Sequence, residues 1–231
     1  DKVRDLIEKY LGSLPNTTIY VFEPNDEIKE LLKKQESNKE VKLTDSKAML
    51  LYAMFYYESL GEKSSLFVAN KLAYFLKRLG ENSFKRLNFK ASHYGPYSVQ
   101  VDHLVQSVNG KYIRGLEQMK VTPFEEITLE YDKAPEISQY VRTKLDTAQI
   151  GRLNNLINLI DGYQSAFALE VLASVDFIRK DNPRINEENT FLKIQEWSER
   201  KKNLFNKKQV STAYNHLERY ANMTFMPSEQ K

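Results

Sequence analysis

The sequence predicts a mainly α protein with a small β-sheet, an α+β class. Apolar residues recur at three- and four-residue spacing over most of the 231 residues, the periodicity of helices that bury one face. Runs rich in β-branched and aromatic residues are few and short. With 41% hydrophobic and 28% charged residues, the composition is that of a globular protein with a core and not of a disordered chain. No apolar run approaches the ~20 residues that a membrane helix requires, so no membrane partner is expected.

Val3, Leu6, Ile7, Tyr10 and Leu11 fall in helical phase, and Gly12 stands where that helix stops. Thr17 to Phe22 is β-branched and aromatic and reads as a strand ended by Pro24. One helix and one strand cannot bury their apolar faces alone, so residues 1–25 read as the closing piece of an α/β domain. Residues 26–42 are rich in Lys and Glu and read as a short helix and linker.

The main domain then runs over residues 43–231. Thr44 is placed to cap a helix, because its hydroxyl can accept from an amide of the first turn. Ala48 to Tyr57 is apolar all round, the mark of a central helix. Leu66 to Leu79 is a second helix with Val68, Leu72, Phe75, Leu76 and Leu79 on one face. Leu87 to Tyr97 reads as a short strand entering a Gly95-Pro96 turn. Val99 to Val108 is helical and stopped by Asn109-Gly110. Lys111 to Leu116 and Glu126 to Tyr131 read as strands, with Pro123 in the turn between them. The remainder is helical: Ile137–Leu145, Ile150–Ile160, Phe167–Ile178, Thr190–Leu204 and Lys208–Tyr220.

Lys plus Arg number 34 and Asp plus Glu 31, but the near-neutral total hides an alternation. Basic minus acidic residues amount to −1 over residues 1–43, +5 over 44–120, −5 over 121–176 and +4 over 177–231. The basic window could draw phosphates and the acidic one a basic cleft, although charged runs are also ordinary solvated helix faces.

The motifs exclude more than they assign. Cysteine is absent, and the three histidines, His93, His103 and His216, do not fall at metal-ligand spacing. The absence of cysteine fits a reducing cytoplasm. The eight glycines are scattered and form no phosphate-cradling loop. No metal, no cofactor and no catalytic residue is assigned. The sharpest local feature is His93-Tyr94-Gly95-Pro96-Tyr97, aromatic residues on a rigid turn that form either a preorganised contact surface or a packed turn. Lys71 interrupts the apolar helix; it either snorkels at the helix edge, pairs with a carboxylate, or reaches the Gly-Pro turn. Trp197, with Arg200, Lys201 and Lys202 at helical spacing, is either core or an interface anchor.

Five segments, in order, resemble the C-terminal domain of the DarG antitoxin family. They are Asn70-Lys71-Leu72-Ala73-Tyr74-Phe75-Leu76, His93 to Tyr97, Gly110 to Gly115, Ile160 to Ser165 leading to Leu169 to Ala173, and Trp197 to Lys201. The N-terminal helix and the segment from Thr18 to Pro24 resemble the end of the macrodomain that precedes this domain in the family.

The resemblance implies a helical toxin-binding domain preceded by a helix–strand remnant of an α/β macrodomain. It implies one partner, a DarT-like ADP-ribosyltransferase toxin that modifies single-stranded DNA, bound as a monomer or 1:1 complex in the cytoplasm. The macrodomain would remove ADP-ribose from DNA in the full-length protein. Little of it is matched here, so this chain is expected to be a neutralising domain and not itself an enzyme. Candidate contact residues are Lys71, Tyr74, His93, Tyr94, Tyr97, Tyr112, Arg114, Trp197 and Arg200. Glu125, Glu126 and Glu130 of the acidic window join them, as a surface that could imitate DNA toward a basic groove. The alternative is a nucleic-acid-binding regulatory domain of a toxin–antitoxin operon, in which Tyr94, Tyr97, Tyr112 and Arg114 stack on and pair with bases; nucleic acid is otherwise not required.

Overall fold

The computed structural model describes residues 2–20, 40–117 and 122–221. Over these it is mainly α with two small antiparallel sheets, as the spacing predicts. The first helix, α1 (Lys2–Leu11), forms as expected. Thr17 to Tyr20, read as the start of a strand, has no strand pairing, and the rest of that segment lies outside the described residues. So does nearly all of the helix and linker read over 26–42.

Side-chain caps set the helix starts of the main domain. Thr44 opens α2 (Asp45–Ser59) by accepting from the Lys47 amide. Ser65 opens α3 (Leu66–Arg78) by accepting from the Val68 amide. Asp146 and Gln149 form a reciprocal capping box at α6 (Thr147–Ile160), and Ser165 caps α7 (Ala166–Arg179). Each such bond satisfies an amide that the helix itself leaves open and contributes about 1 kcal/mol. The remaining helices are α4 (Val99–Gln106), α5 (Ala134–Lys144), α8 (Glu187–Trp197), α9 (Glu199–Leu204) and α10 (Lys207–Ala221).

Two helices form the centre. In α3 every residue from Phe67 to Leu76 is buried, and in α7 every residue from Leu169 to Asp176. The all-apolar α2, expected to be the central helix, leaves Tyr52, Phe55 and Tyr56 half-buried. Thus α3 packs against α2, α4, α6 and α7, and α7 against α3, α8 and α10. An amphipathic pattern underestimates the burial of α3 because its polar residues, Asn70, Lys71 and Tyr74, also lie inside, each with specific partners.

Three details differ from the sequence reading. Strand β1 (Lys90–Ser92) pairs with β2 (Gly95–Tyr97) in register Lys90–Tyr97, Ala91–Pro96 and Ser92–Gly95, so the turn is His93-Tyr94, and Gly95-Pro96 belongs to the returning strand. The left-handed conformation (φ +92°) falls on Gly95 just after the turn, a position where glycine carries no Cβ penalty. The second pair is shorter than predicted: β3 (Ile113–Arg114) against β4 (Thr128–Leu129). Finally, the helix read over Thr190–Leu204 is two helices, because Ser198 is extended and its hydroxyl caps α9 through the Lys201 amide at 3.2 Å.

Candidate functional site

The β1–β2 hairpin is seated on the two central helices. Gly95 and Pro96 are buried against α3 and α7. A Cβ on Gly95 would meet Ser174 Oγ at 2.9 Å, so any other residue here would have to push the Ser174 hydroxyl aside. Lys71 Nζ donates to the Pro96 carbonyl at 2.9 Å, and Trp197 Nε1 donates to the Ser92 carbonyl at 3.1 Å. Of the three fates open to Lys71, the structure realises the contact with the Gly-Pro segment.

Beneath the hairpin lies a buried charge cluster. The Glu170 carboxylate accepts two bonds from the Arg200 guanidinium, at 2.6 and 3.0 Å, and one from Lys201 Nζ at 2.6 Å. Lys201 also donates to Ser174 Oγ at 3.1 Å and sits 4.5 Å from the Phe205 ring centroid and 5.1 Å from that of Trp197. Burial pulls the Lys201 ammonium below its usual pKa, and Glu170 opposes that shift. Lys71 is pulled down to about 7, by burial first and by Lys201 in addition, with Glu170 again opposing.

A cleft of about 220 Å³ opens between α3, the hairpin and the Pro123 loop. Phe67, His93, Tyr94, Tyr97 and Pro123 form its walls, and Asn70, Lys71 and Asp102 are its polar lining. Asn70 is a fork. Its Oδ1 accepts from the Ser98 amide at 2.9 Å, and its Nδ2 donates to Asp102 Oδ1 at 2.8 Å. The Tyr97 hydroxyl donates to the other Asp102 oxygen. Burial, with that hydrogen bond second, pushes the Tyr97 hydroxyl up to about 12. At the lip, Tyr94 packs edge-on against Phe67, Phe124 and His93, and the Arg200 guanidinium lies 4.7 Å from its ring centroid.

Six of the proposed contact residues thus fall into two groups around one site: Lys71, His93, Tyr94 and Tyr97 line the cleft, and Trp197 and Arg200 brace it from α8 and α9. Tyr74 does not reach the surface. It is fully buried, its hydroxyl donates to Asp176 at 2.5 Å, and Arg78 holds the same carboxylate at 2.6 and 3.1 Å. Tyr112 is likewise buried, its hydroxyl bonded to Glu136 at 2.7 Å. Arg114 and Glu130 meet each other across β3–β4 at 2.9 Å. Glu125 and Glu126 are exposed, whereas Asp132 and Glu136 bond to Lys133 and Lys111.

The candidate contact residues do not include Glu170, Ser174, Asn70 or Asp102, and Lys201 enters the sequence analysis only as a neighbour of Trp197. A signal existed for Glu170: it stands in the otherwise apolar run Ala166 to Val175, where a carboxylate must be paired if the helix is buried. Among the described residues no group of three or more His, Asp or Glu is arranged to hold a metal. His216 instead packs on Tyr163 and Tyr220 and bonds to the Leu159 carbonyl at 2.8 Å.

No family model matches the chain. Among curated proteins, one from Thermus aquaticus is 26% identical over 211 residues, 87% of this chain and 54% of its own length. One from Mycobacterium bovis is 22% identical over 134 residues, 57% of this chain and 38% of its own. Both are named DNA ADP-ribosyl glycohydrolase. This chain is similar to DNA ADP-ribosyl glycohydrolases. That similarity supports the DarG resemblance read from the motifs, and the chain spans about half the length of the first of these relatives. It also corrects one expectation. The chain was read as not itself an enzyme, yet the proteins that it matches over 57–87% of its length carry the name of an enzyme.

Proposed function

We propose that this protein is a DarG-type antitoxin and that residues 43–231 bind and neutralise a DarT-like ADP-ribosyltransferase toxin in the cytoplasm, as a 1:1 complex, by covering its single-stranded-DNA-binding face. For the protein as a whole we propose the activity in its relatives' name, removal of ADP-ribose from DNA. One observation carries the binding reading. Four of the five segments behind the resemblance lie far apart in the chain and converge on the hairpin cleft: α3, His93 to Tyr97, the start of α7, and Trp197 to Lys201. Aromatic side chains held on a rigid hairpin lose little entropy on binding.

The acidic window is the weaker contact surface, because Glu130, Asp132 and Glu136 are balanced by basic neighbours. The nucleic-acid alternative loses Tyr112, which is buried, as a stacking platform. The test is titration of this chain with the toxin encoded beside it, by calorimetry and by toxin activity on single-stranded DNA. Binding is expected, with Tyr94→Ala weakening it about 30-fold, as for an aromatic interface anchor. Reversal of Glu125 and Glu126 to lysine should change it by only about threefold, the size of exposed ion pairs. A toxin that stays fully active in large molar excess of the chain refutes the reading. Submicromolar DNA binding without toxin binding would establish the alternative.

A further inference from the structure

The charge cluster beneath the hairpin does not balance. It holds three cations, Lys71, Arg200 and Lys201, and one carboxylate, Glu170. Arg200 and Lys201 both bond to that carboxylate. Among the described residues Lys71 bonds to no carboxylate. Its one hydrogen bond there goes to the neutral Pro96 carbonyl, and its ammonium rests 4.6 Å from the Phe67 ring centroid. The nearest other carboxylate at the cleft, Asp102, has both oxygens taken by Asn70 and Tyr97. An ammonium has three donors, and Lys71 is 1% exposed. A buried cation with unused donors and no carboxylate bonded to it is costly, yet this one lines an open cleft.

We infer that the cleft takes a carboxylate, an aspartate or glutamate side chain of the bound partner protein, which becomes the counter-ion of Lys71. The size fits: about 220 Å³ is the room of roughly seven waters at ~30 Å³ each, enough for one acidic side chain. The walls suit the stem of such a side chain, since Phe67, Tyr94 and Pro123 are apolar surfaces. A phosphate is disfavoured, because the Asp102 carboxylate shares the lining and would repel a dianion more strongly. The inference rests on the toxin-binding reading and supplies its anchor chemistry. Near neutral pH, burial leaves Lys71 partly uncharged, and binding of the carboxylate would draw a proton back. The charged and titratable groups around it are Glu170 on α7, Arg200 and Lys201 on α9, Asp102 on α4, and His93, Tyr94 and Tyr97 on the hairpin.

The chain labelled with ¹³Cε-lysine allows Lys71 to be followed directly by NMR, its resonance assigned from Lys71→Met. Titration with acetyl-glutamate-amide should shift that resonance saturably and raise its pKa by about one unit or more, as a new opposite charge does. Inorganic phosphate should produce no such shift. Absence of a shift to roughly 100 mM probe, far weaker than millimolar binding, or an equal response to phosphate, overturns the inference. With toxin, Lys71→Met should bind about 30-fold more weakly or worse, the usual effect of deleting one partner of a buried charge pair. Equal binding by a folded Lys71→Met chain overturns it too. If the wild-type chain binds no toxin, the functional reading falls, and the probe titration still decides whether the cleft holds a carboxylate.

Discussion

Helix α7 carries two buried carboxylates, less than two turns apart, and their surroundings are opposite in kind. Asp176 meets one cation, Arg78, and one neutral hydroxyl, Tyr74, and the nearby Arg179 has its own carboxylate in Glu218. That set closes on itself. Burial opposes the Arg78 charge, but Asp176 outweighs burial and lifts the guanidinium above its usual pKa. The Tyr74 hydroxyl is pushed well above its usual value by burial and then by Asp176. Glu170 meets two cations directly and stands near a third. There the excess is positive, and burial lowers both lysines. A closed pair holds two helices together and has nothing left to offer. An unbalanced cluster beside a cleft is a structure with a bond still to make.

The comparison predicts unequal losses. Glu170→Gln strips the one carboxylate from two buried lysines, Lys71 and Lys201, and from the half-buried Arg200, and should destabilise the domain by about 3–5 kcal/mol, the cost of leaving buried charge uncompensated. Asp176→Asn should cost less, about 2–3 kcal/mol, since the Arg78 side chain is 29% exposed and can turn to water. Urea denaturation of both variants checks the order. Equal losses would mean that the third cation, Lys71, carries little charge in the native state. Gly95→Ala tests the seat of the hairpin itself. It combines a left-handed backbone with a Cβ at 2.9 Å from Ser174 Oγ, and about 2–3 kcal/mol of destabilisation is expected.

Much of this architecture is legible in the sequence, and the misses have a common cause. Caps are local, so Thr44 could be read directly. Helical phase placed α2 to α7 and α10. The break at Ser198 was missed because periodicity continues across it, while one extended residue suffices to turn the chain. The hairpin turn was displaced by two residues because Gly-Pro reads as a turn, while Gly95 here follows the turn and packs on α7. For the site, the contact of Lys71 with the Gly-Pro segment was one of three fates left open by the sequence, and it is the one that forms. Tyr74 and Tyr112 were taken as contact residues, yet both are core. A tyrosine looks the same in sequence whether its hydroxyl faces water or a buried carboxylate. The charged neighbours of Lys71, Glu170 and Lys201, come from α7 and α9, about 100 and 130 residues downstream, and no local pattern announces such a meeting.

The charge state of Lys71 gives a third, smaller effect with a definite sign. Its pKa is about 7 when folded and near its ordinary value of about 10.4 when unfolded. Between those values the unfolded chain holds a proton that the native chain lacks, so stability rises with pH. The contribution is complete above the unfolded pKa and is lost as pH falls through the folded one. Lys71→Met has no such dependence. The wild-type stability minus that of Lys71→Met should therefore climb from pH 7 to pH 9, by at most about 1.4 kcal/mol per pH unit. The raised tyrosines are common to both chains and cancel. A difference that stays flat would show Lys71 fully charged at neutral pH, and the cluster would then need a counter-ion in the free protein.

The smallest effect belongs to the pair that the sequence reading placed on the binding face. Arg114 and Glu130 join β3 to β4 at 2.9 Å, with side chains 25% and 31% exposed. Water reaches both, so their attraction is screened and their desolvation slight. A double-mutant cycle with Arg114→Ala and Glu130→Ala should return a coupling of about 0.5–1 kcal/mol that shrinks at high salt. The same short distance that gives a strong pair at the buried carboxylates of α7 gives a weak one here, because burial and not distance sets the scale. A coupling above about 2 kcal/mol would reverse that lesson: it would make the β3–β4 edge an electrostatic unit in its own right, with Glu130 committed to Arg114 and withdrawn from any partner.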